Sequence, residues 1–207
     1  MAGKAPAPRL SLGTLLLSAQ WADLIWPVLL LAGVERVVVV PGLMKTSSLD
    51  FVSYPVSHSL VALLAWAMLF GGIHFARRRD VVAAVVVGGL VVSHWFLDVL
   101  MHRPDMPVWP GGPRVGLSLW NSIPGTLAAE LALYAAGIAF YTRMTRSKDL
   151  TGTVALWALV LVLVGLWMAA LFGPPPPDAT TIGLAGLLGW LFLPWAYWID
   201  RHRRIAN

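Results

Sequence analysis

The chain of 207 residues contains no cysteine. It therefore has no disulfide, no thiolate metal ligand and no thiol nucleophile, so any metal site must use nitrogen and oxygen ligands. Charge is also scarce, because only 12% of the residues are charged while 58% are hydrophobic and the mean hydropathy is +0.73. This leaves too little polar surface to cover a soluble globule. The composition indicates an integral membrane protein.

Basic residues give the chain a formal charge of +5. They fall in short clusters between apolar runs, where they report membrane orientation, so we expect no nucleic-acid partner. The expected partner is membrane lipid.

Six stretches approach or meet the about 20 mostly apolar residues that a helix needs to cross a membrane. We expect one transmembrane domain over 1–207, an all-α bundle of about six helices. The predicted spans are 10–34, 57–76, 81–101, 119–141, 150–172 and 182–199. The first stretch has the alternative of a signal peptide, because Lys4 and Arg9 precede it. Its apolar run continues past a typical signal core, so we interpret it as a span.

Loop charge predicts the orientation. Four basic residues fall on one side of the spans, namely Arg36, Lys45, Arg103 and Arg114. The other eleven fall on the opposite side, including Lys4, Arg9 and the cluster 77–79. The positive-inside rule then places both termini in the cytoplasm and the long connections 35–56 and 102–118 outside. In a bacterium, the protein would lie in the inner membrane with these connections in the periplasm.

Acidic residues inside predicted spans need compensation. Asp23, Asp98 and Glu130 each cost roughly 2.5–3.5 kcal/mol near the bilayer centre, and a shared cation would offset that cost. His94 lies one helical turn before Asp98, on the same helix face, so both can reach one ion. His58, at the outer end of the second span, falls at a similar depth. These residues predict a metal site in the outer half of the membrane.

His102 and Glu130 are predicted to act beside that site. His94 and His102 are about 12 Å apart along a continuous helix, so they cannot share one ion. His102 is therefore predicted to be a proton donor or a ligand of a second metal. Glu130 is predicted to be a base or a carboxylate that supports a ligand, unless a local hydrogen bond from Thr126 satisfies it.

Three motifs in the first half of the chain resemble a known family. They are Asp23 in Ala-Gln-Trp-Ala-Asp-Leu, His58 in Ser-His-Ser-Leu, and His94 with Asp98 in His-Trp-Phe-Leu-Asp. The set resembles the bacterial membrane-bound metal-dependent hydrolases, which are small multi-span proteins often likened to zinc-dependent phospholipase C. The resemblance implies that Asp23, His58, His94 and Asp98 are metal ligands.

Two functions are compatible with these residues. The first is a metal-dependent hydrolase that acts on a phosphoester or similar bond of a lipid or membrane-associated substrate. Zinc, manganese or iron would activate water, Glu130 or His102 would move the proton, and Arg103 or Arg114 would meet a phosphate. The alternative is a small transporter that passes protons or a metal along the same acids and histidines. A scaffold in which the polar set has no chemical role is a third interpretation.

Overall fold

A computed structural model describes residues 10–206. Lys4 and Arg9, which the orientation argument used, lie outside this range. The helices are α1 (Leu12–Ala19), α2 (Trp21–Leu31), α3 (Leu60–Arg78), α4 (Val81–Met101), α5 (Ile123–Met144), α6 (Leu150–Phe172), α7 (Ala179–Leu187) and α8 (Phe192–Arg201). Three antiparallel pairs of short strands join the loops: β1 (Arg36–Val39) with β2 (Leu49–Ser53), β3 (Met106–Pro107) with β4 (Arg114–Val115), and β5 (Thr145–Ser147) with β6 (Arg203–Ile205).

Helices of membrane-spanning length dominate the fold. Helices α3, α4, α5 and α6 are each long and apolar enough to cross a membrane, as is the stretch Ala179–Arg201 that α7 and α8 form together. Helices α1 and α2 meet the criterion as a pair, bent by 55°. The predicted all-α membrane bundle of about six spans is confirmed.

The first predicted span, 10–34, is in fact two helices that meet at Gln20. The backbone of Gln20 leaves the helical region, with φ −104° and ψ 11°, and α2 starts at Trp21. The span ends earlier than predicted, because Gly33 adopts a left-handed conformation with φ +73° that terminates the helix.

Other span boundaries also differ from the predicted ones. Helix α3 starts at Leu60 rather than at 57, because the Ser59 side chain accepts from the backbone N–H of Ala62 and caps the helix. Helix α5 starts at Ile123 rather than at 119, after a separate 3-10 turn. The last span covers Ala179–Arg201 rather than 182–199.

Both ends of the described chain lie on one side of the bundle. Helix α1 packs against α8, and the backbone N–H of Gly13 donates to Asp200 Oδ2 at 3.3 Å. On the same side, β6 pairs with β5 in the connection between α5 and α6. This agrees with an even number of crossings and with the predicted common side for the termini.

Glycines allow α3 and α4 to pack closely as an antiparallel pair. A Cβ added to Gly88 would lie 3.1 Å from the carbonyl oxygen of Ala67, and one added to Gly71 would lie 3.0 Å from that of Ala84. These neighbours are backbone atoms, which cannot turn aside as a flexible side chain can. The close approach fixes His94 on α4 relative to the start of α3.

We expect Gly88→Leu to destabilise the protein by about 1–3 kcal/mol, because the new side chain must displace the Ala67 backbone. Gly89→Leu is the matched control, since an added Cβ at Gly89 has no atom within 4 Å. Thermal unfolding in detergent compares the two variants. Equal destabilisation at both positions would contradict this account of the packing.

The larger hydrophobic core lies in the half of the bundle that loop charge predicts to face outwards, which we call the outer half. Trp26 of α2, Leu63 of α3 and Val91 of α4 are buried there together with Phe51 of β2 and Met106 of β3. The strands of the outer connections are thus packed onto the helix ends rather than projecting into solvent. They form a cap over the outer ends of α2, α3 and α4, and the loop that carries His58 is part of it.

Candidate metal centre

Four predicted ligands come together beneath the outer cap. Asp23 is in the first turn of α2, just after the bend, and His58 precedes the Ser59 cap of α3. His94 and Asp98 are one turn apart on α4. Three separate segments of the chain therefore supply the set.

The ligand atoms are close enough to share one ion. Asp23, His58 and His94 each offer an atom within 4.8 Å of the others. His94 Nε2 lies 3.2 Å from Asp98 Oδ2 and 3.7 Å from Asp23 Oδ1, while His58 Nε2 lies 3.8 Å and 3.5 Å from the same two oxygens. Ligands about 2.0–2.1 Å from a tetrahedral zinc are about 3.3–3.4 Å apart, so the four histidine–carboxylate separations are close to those around such an ion.

A backbone carbonyl sets the tautomer of His94. The Nδ1 atom lies 2.9 Å from the carbonyl oxygen of Ala19, which can only accept, so Nδ1 carries the proton. The lone pair of the neutral ring is then on Nε2, the atom that faces the two carboxylates. Metal-binding histidines are commonly oriented by such a bond from the other ring nitrogen.

A buried chain of side chains does the same for His58. Ser57 Oγ donates to Glu35 Oε2 at 2.6 Å, so its one proton is used and it accepts from His58 Nδ1, also at 2.6 Å. Glu35 Oε1 accepts from the backbone N–H groups of Val56 and Ser57. Glu35, Ser57 and His58 are all buried. Glu35 thereby leaves the Nε2 lone pair of His58 free for a ligand.

Two ligand atoms lack a hydrogen-bond partner within residues 10–206. They are His94 Nε2 and Asp98 Oδ2, both fully buried. They lie 3.2 Å apart without forming a hydrogen bond to each other. Buried polar atoms are normally satisfied. The donor set and these unsatisfied atoms fit a divalent cation bound by nitrogen and oxygen.

Three of the four predicted ligands, Asp23, His94 and Asp98, border a cavity of about 460 Å³, which we name the metal cavity. Its polar lining comes from Gln20, Asp23, His94, Asp98 and Glu130. The Asp23 side chain is 52% exposed and opens onto this space. The remaining lining is aromatic and aliphatic, from Leu97, Met101, Trp120, Leu131, Leu133, Tyr134, Leu163, Val164 and Trp167. The cavity therefore combines a charged wall with apolar walls.

Glu130 reaches the cavity from α5 but has different partners from those the sequence suggested. Trp120 Nε1 donates to Oε1 at 3.3 Å, and Trp167 Nε1 donates to Oε2. The suggested local bond from Thr126 does not form, because the Thr126 hydroxyl faces the preceding 3-10 turn and donates to the carbonyl of Leu119. Glu130 is thus anchored by two indoles.

His102 lies outside the ligand cluster, as its helix position predicted. It ends α4, is buried, and its Nδ1 lies 3.0 Å from Asp105 Oδ1. Tyr54 donates to the same oxygen at 3.1 Å. Burial and the Asp105 carboxylate raise the pKa of the Tyr54 hydroxyl well above its ordinary value, so it remains a donor. His102 belongs to the packed cap, and its predicted role in proton transfer stays a prediction.

The two predicted phosphate-binding arginines make contacts within the cap. Arg103 pairs with Asp50 and, through Nε, with Asp105 Oδ2 at 3.1 Å. Arg114 donates to the carbonyls of Phe51 and Val52. In this structure both guanidinium groups hold the outer loops together, and their predicted contact with substrate remains a prediction.

Three residues at the site were missed by sequence reasoning: Glu35, Trp120 and Trp167. Glu35 is a lone acid in the apolar stretch 28–40, interrupted otherwise only by small residues and Arg36, and that isolation was the available signal. The two tryptophans resemble ordinary interfacial anchors in sequence. Nothing local reveals that both bond to Glu130.

Comparison with known protein families agrees with this structure. Residues 40–174, well over half of the chain, match the family described as YdjM inner membrane protein. The matched region contains His58, His94, Asp98 and Glu130, whereas Asp23 precedes it. No curated protein and no solved structure matches the chain significantly. The chain belongs to the YdjM inner membrane protein family and is an integral protein of the bacterial inner membrane.

Proposed function

We propose that this protein is a metal-dependent hydrolase that cleaves a phosphoester or similar bond in a lipid or membrane-associated substrate. The observation that carries the proposal is the proximity of Asp23, His58, His94 and Asp98 to one another, with both histidines held in the metal-binding tautomer. Such preorganisation is typical of a site that binds an ion.

Different residues would bind the ion and the substrate. The two histidines and two carboxylates would hold a divalent ion, with zinc, manganese and iron all suited to this donor set. A bound ion of this kind supplies Lewis acidity and activates water. The apolar walls of the cavity favour a substrate with hydrocarbon chains. Cleavage would occur at the polar wall, where the ligands lie.

Metal removal tests the proposal. Purified wild type supplied with zinc is expected to release headgroup from phospholipid vesicles, and a chelator should lower the rate more than about tenfold until zinc is restored. Mass spectrometry of the released headgroups measures the rate. The His94→Ala, Asp98→Asn double variant controls for contaminating hydrolases. Wild-type turnover that is no higher than that of the double variant would refute the proposal.

The bend in the first span supports transport as a second candidate. Interrupted helices often line the substrate sites of transporters, and Gln20 at the bend faces the metal cavity. A separate cavity of about 390 Å³ lies towards the basic end of the bundle and is lined by residues that include Ser18 and His74. Zinc uptake into liposomes without lipid cleavage would favour this function.

A further inference from the structure

Glu130 is the one acid in the lining of the metal cavity that the ion would not balance. The charged lining consists of Asp23, Asp98 and Glu130, and no lysine or arginine is among the described residues that line it. A divalent ion at the ligand cluster would offset Asp23 and Asp98. Glu130 would then keep its negative charge in an apolar setting, where a lone charge is unfavourable.

The contacts of Glu130 do not supply the missing charge, because Lys45 lines a neighbouring cavity that Glu130 also borders but forms no salt bridge with it among residues 10–206. Each oxygen accepts one indole N–H, from Trp120 and from Trp167, and both indoles are neutral. A carboxylate has about four acceptor positions, so capacity remains on both oxygens. The group is held in place yet still able to bind a cation.

The depth of Glu130 matches that of the metal ligands. Glu130 lies seven residues after Ile123, the outer end of α5, and His94 lies seven residues before Met101, the outer end of α4. Both are therefore about 10 Å along their helices from the outer face. A ligand spanning from one to the other lies roughly parallel to the membrane, at a depth that the headgroup of a tilted lipid can reach.

The remaining walls suit the other parts of a lipid. Trp120 and Trp167 donate their N–H edges to Glu130, and with Tyr134 they also line the cavity, where an ammonium group that reaches a ring face is attracted to it. Leu97, Leu163 and their aliphatic neighbours offer surface for hydrocarbon. The cavity thus presents a carboxylate with aromatic rings, a site for an ion, and an apolar wall.

We propose that Glu130, with Trp120 and Trp167, binds the ammonium group of a zwitterionic phospholipid whose phosphate ester faces Asp23, His58, His94 and Asp98. The placement of the phosphate rests on the proposed function, whereas the ammonium site does not. A primary ammonium, as in phosphatidylethanolamine, fits best because it can donate hydrogen bonds to the free acceptor positions of Glu130. A lipid without the positive charge leaves Glu130 unpaired.

Native mass spectrometry of the delipidated, zinc-supplied protein tests this site with dioleoyl phosphatidylethanolamine and dioleoyl phosphatidylglycerol. Wild type is expected to prefer phosphatidylethanolamine. Glu130→Gln should weaken binding of that lipid about tenfold while changing phosphatidylglycerol binding less than about twofold. Asp178→Asn is the matched control, because it removes one outer-side acid that lines neither the metal cavity nor the neighbouring cavity that Glu130 shares with Lys45, and asparagine can still cap α7.

A second measurement needs no variant. N-acetylated phosphatidylethanolamine replaces the ammonium group by a slightly larger neutral amide and keeps the phosphate charge, so wild type should bind it as weakly as phosphatidylglycerol. Equal binding of the charged and acetylated lipids, or an unchanged preference in Glu130→Gln, would overturn the ammonium site. Absence of zinc-dependent cleavage with the lipid preference intact would instead overturn the proposed hydrolase function alone.

Discussion

The double variant His94→Ala, Asp98→Asn is expected to lose zinc affinity by more than about a hundredfold, because removal of a residue that merely supports a ligand already costs 10- to 100-fold. The variant removes the neutral nitrogen and the carboxylate charge that meet at 3.2 Å. It leaves His58 and Asp23, which alone make a weak site. Competition with a chelating dye measures the affinity, and elemental analysis measures the metal retained.

His74→Ala is the matched control for this loss. His74 is also a helix histidine, but it lines the cavity towards the basic end of the bundle rather than the metal cavity. It should retain wild-type affinity. If wild type and the double variant carry equally little metal, the four side chains are not a metal site, and the scaffold interpretation gains weight.

Glu35→Gln is expected to lower zinc affinity by about 10- to 100-fold, although Glu35 does not contact the ion position. A glutamine amide nitrogen in place of Oε2 cannot accept the Ser57 proton and would donate to Ser57 Oγ instead. The hydroxyl would then donate to His58 Nδ1, which moves the ring proton to Nε2 and blocks the ligand atom. The substitution keeps the shape of the side chain, so the unfolding temperature should change less than the affinity.

A double-variant cycle separates this tautomer effect from loss of structure. Ser57→Ala removes the hydroxyl through which Glu35 acts, so we expect a smaller loss of zinc affinity than in Glu35→Gln. Combining the two should add little to Ser57→Ala alone, since neighbours in one network are not additive. Fully additive losses would show that Glu35 acts through general stability rather than through His58.

The membrane fold and the pair His94 and Asp98 were accessible to sequence reasoning because both depend on short spacings. Continuous apolar stretches identify the spans, and the four-residue spacing of His94 and Asp98 places them on one helix face. Asp23 and His58 lie on other spans, so their place beside this pair rested on the resemblance to the membrane-bound hydrolases and on the expectation that neighbouring helices bring them together. The structure shows that they do, since Asp23 Oδ1 is 3.5 Å from His58 Nε2.

The supporting contacts were not accessible because they join distant parts of the chain. Glu35, just before β1, accepts from Ser57, which follows β2. Trp167 donates to Glu130 from the next helix. Thr126 had the correct spacing for Glu130 but faces the 3-10 turn before α5. Periodicity shows which face a residue is on, and only tertiary packing decides which partner it finds there.

The bend between α1 and α2 frees a backbone carbonyl that a regular first span would use within its own helix. In an uninterrupted helix, the carbonyl of Ala19 would accept from the backbone N–H of Asp23, four residues later. At the bend, that carbonyl instead accepts from His94 Nδ1. Straightening the helix would therefore turn that oxygen along the helix axis, towards the backbone of Asp23 and away from the ring of His94. The irregularity of this span keeps a backbone acceptor available to orient His94, and a version idealised for helix stability would weaken that contact.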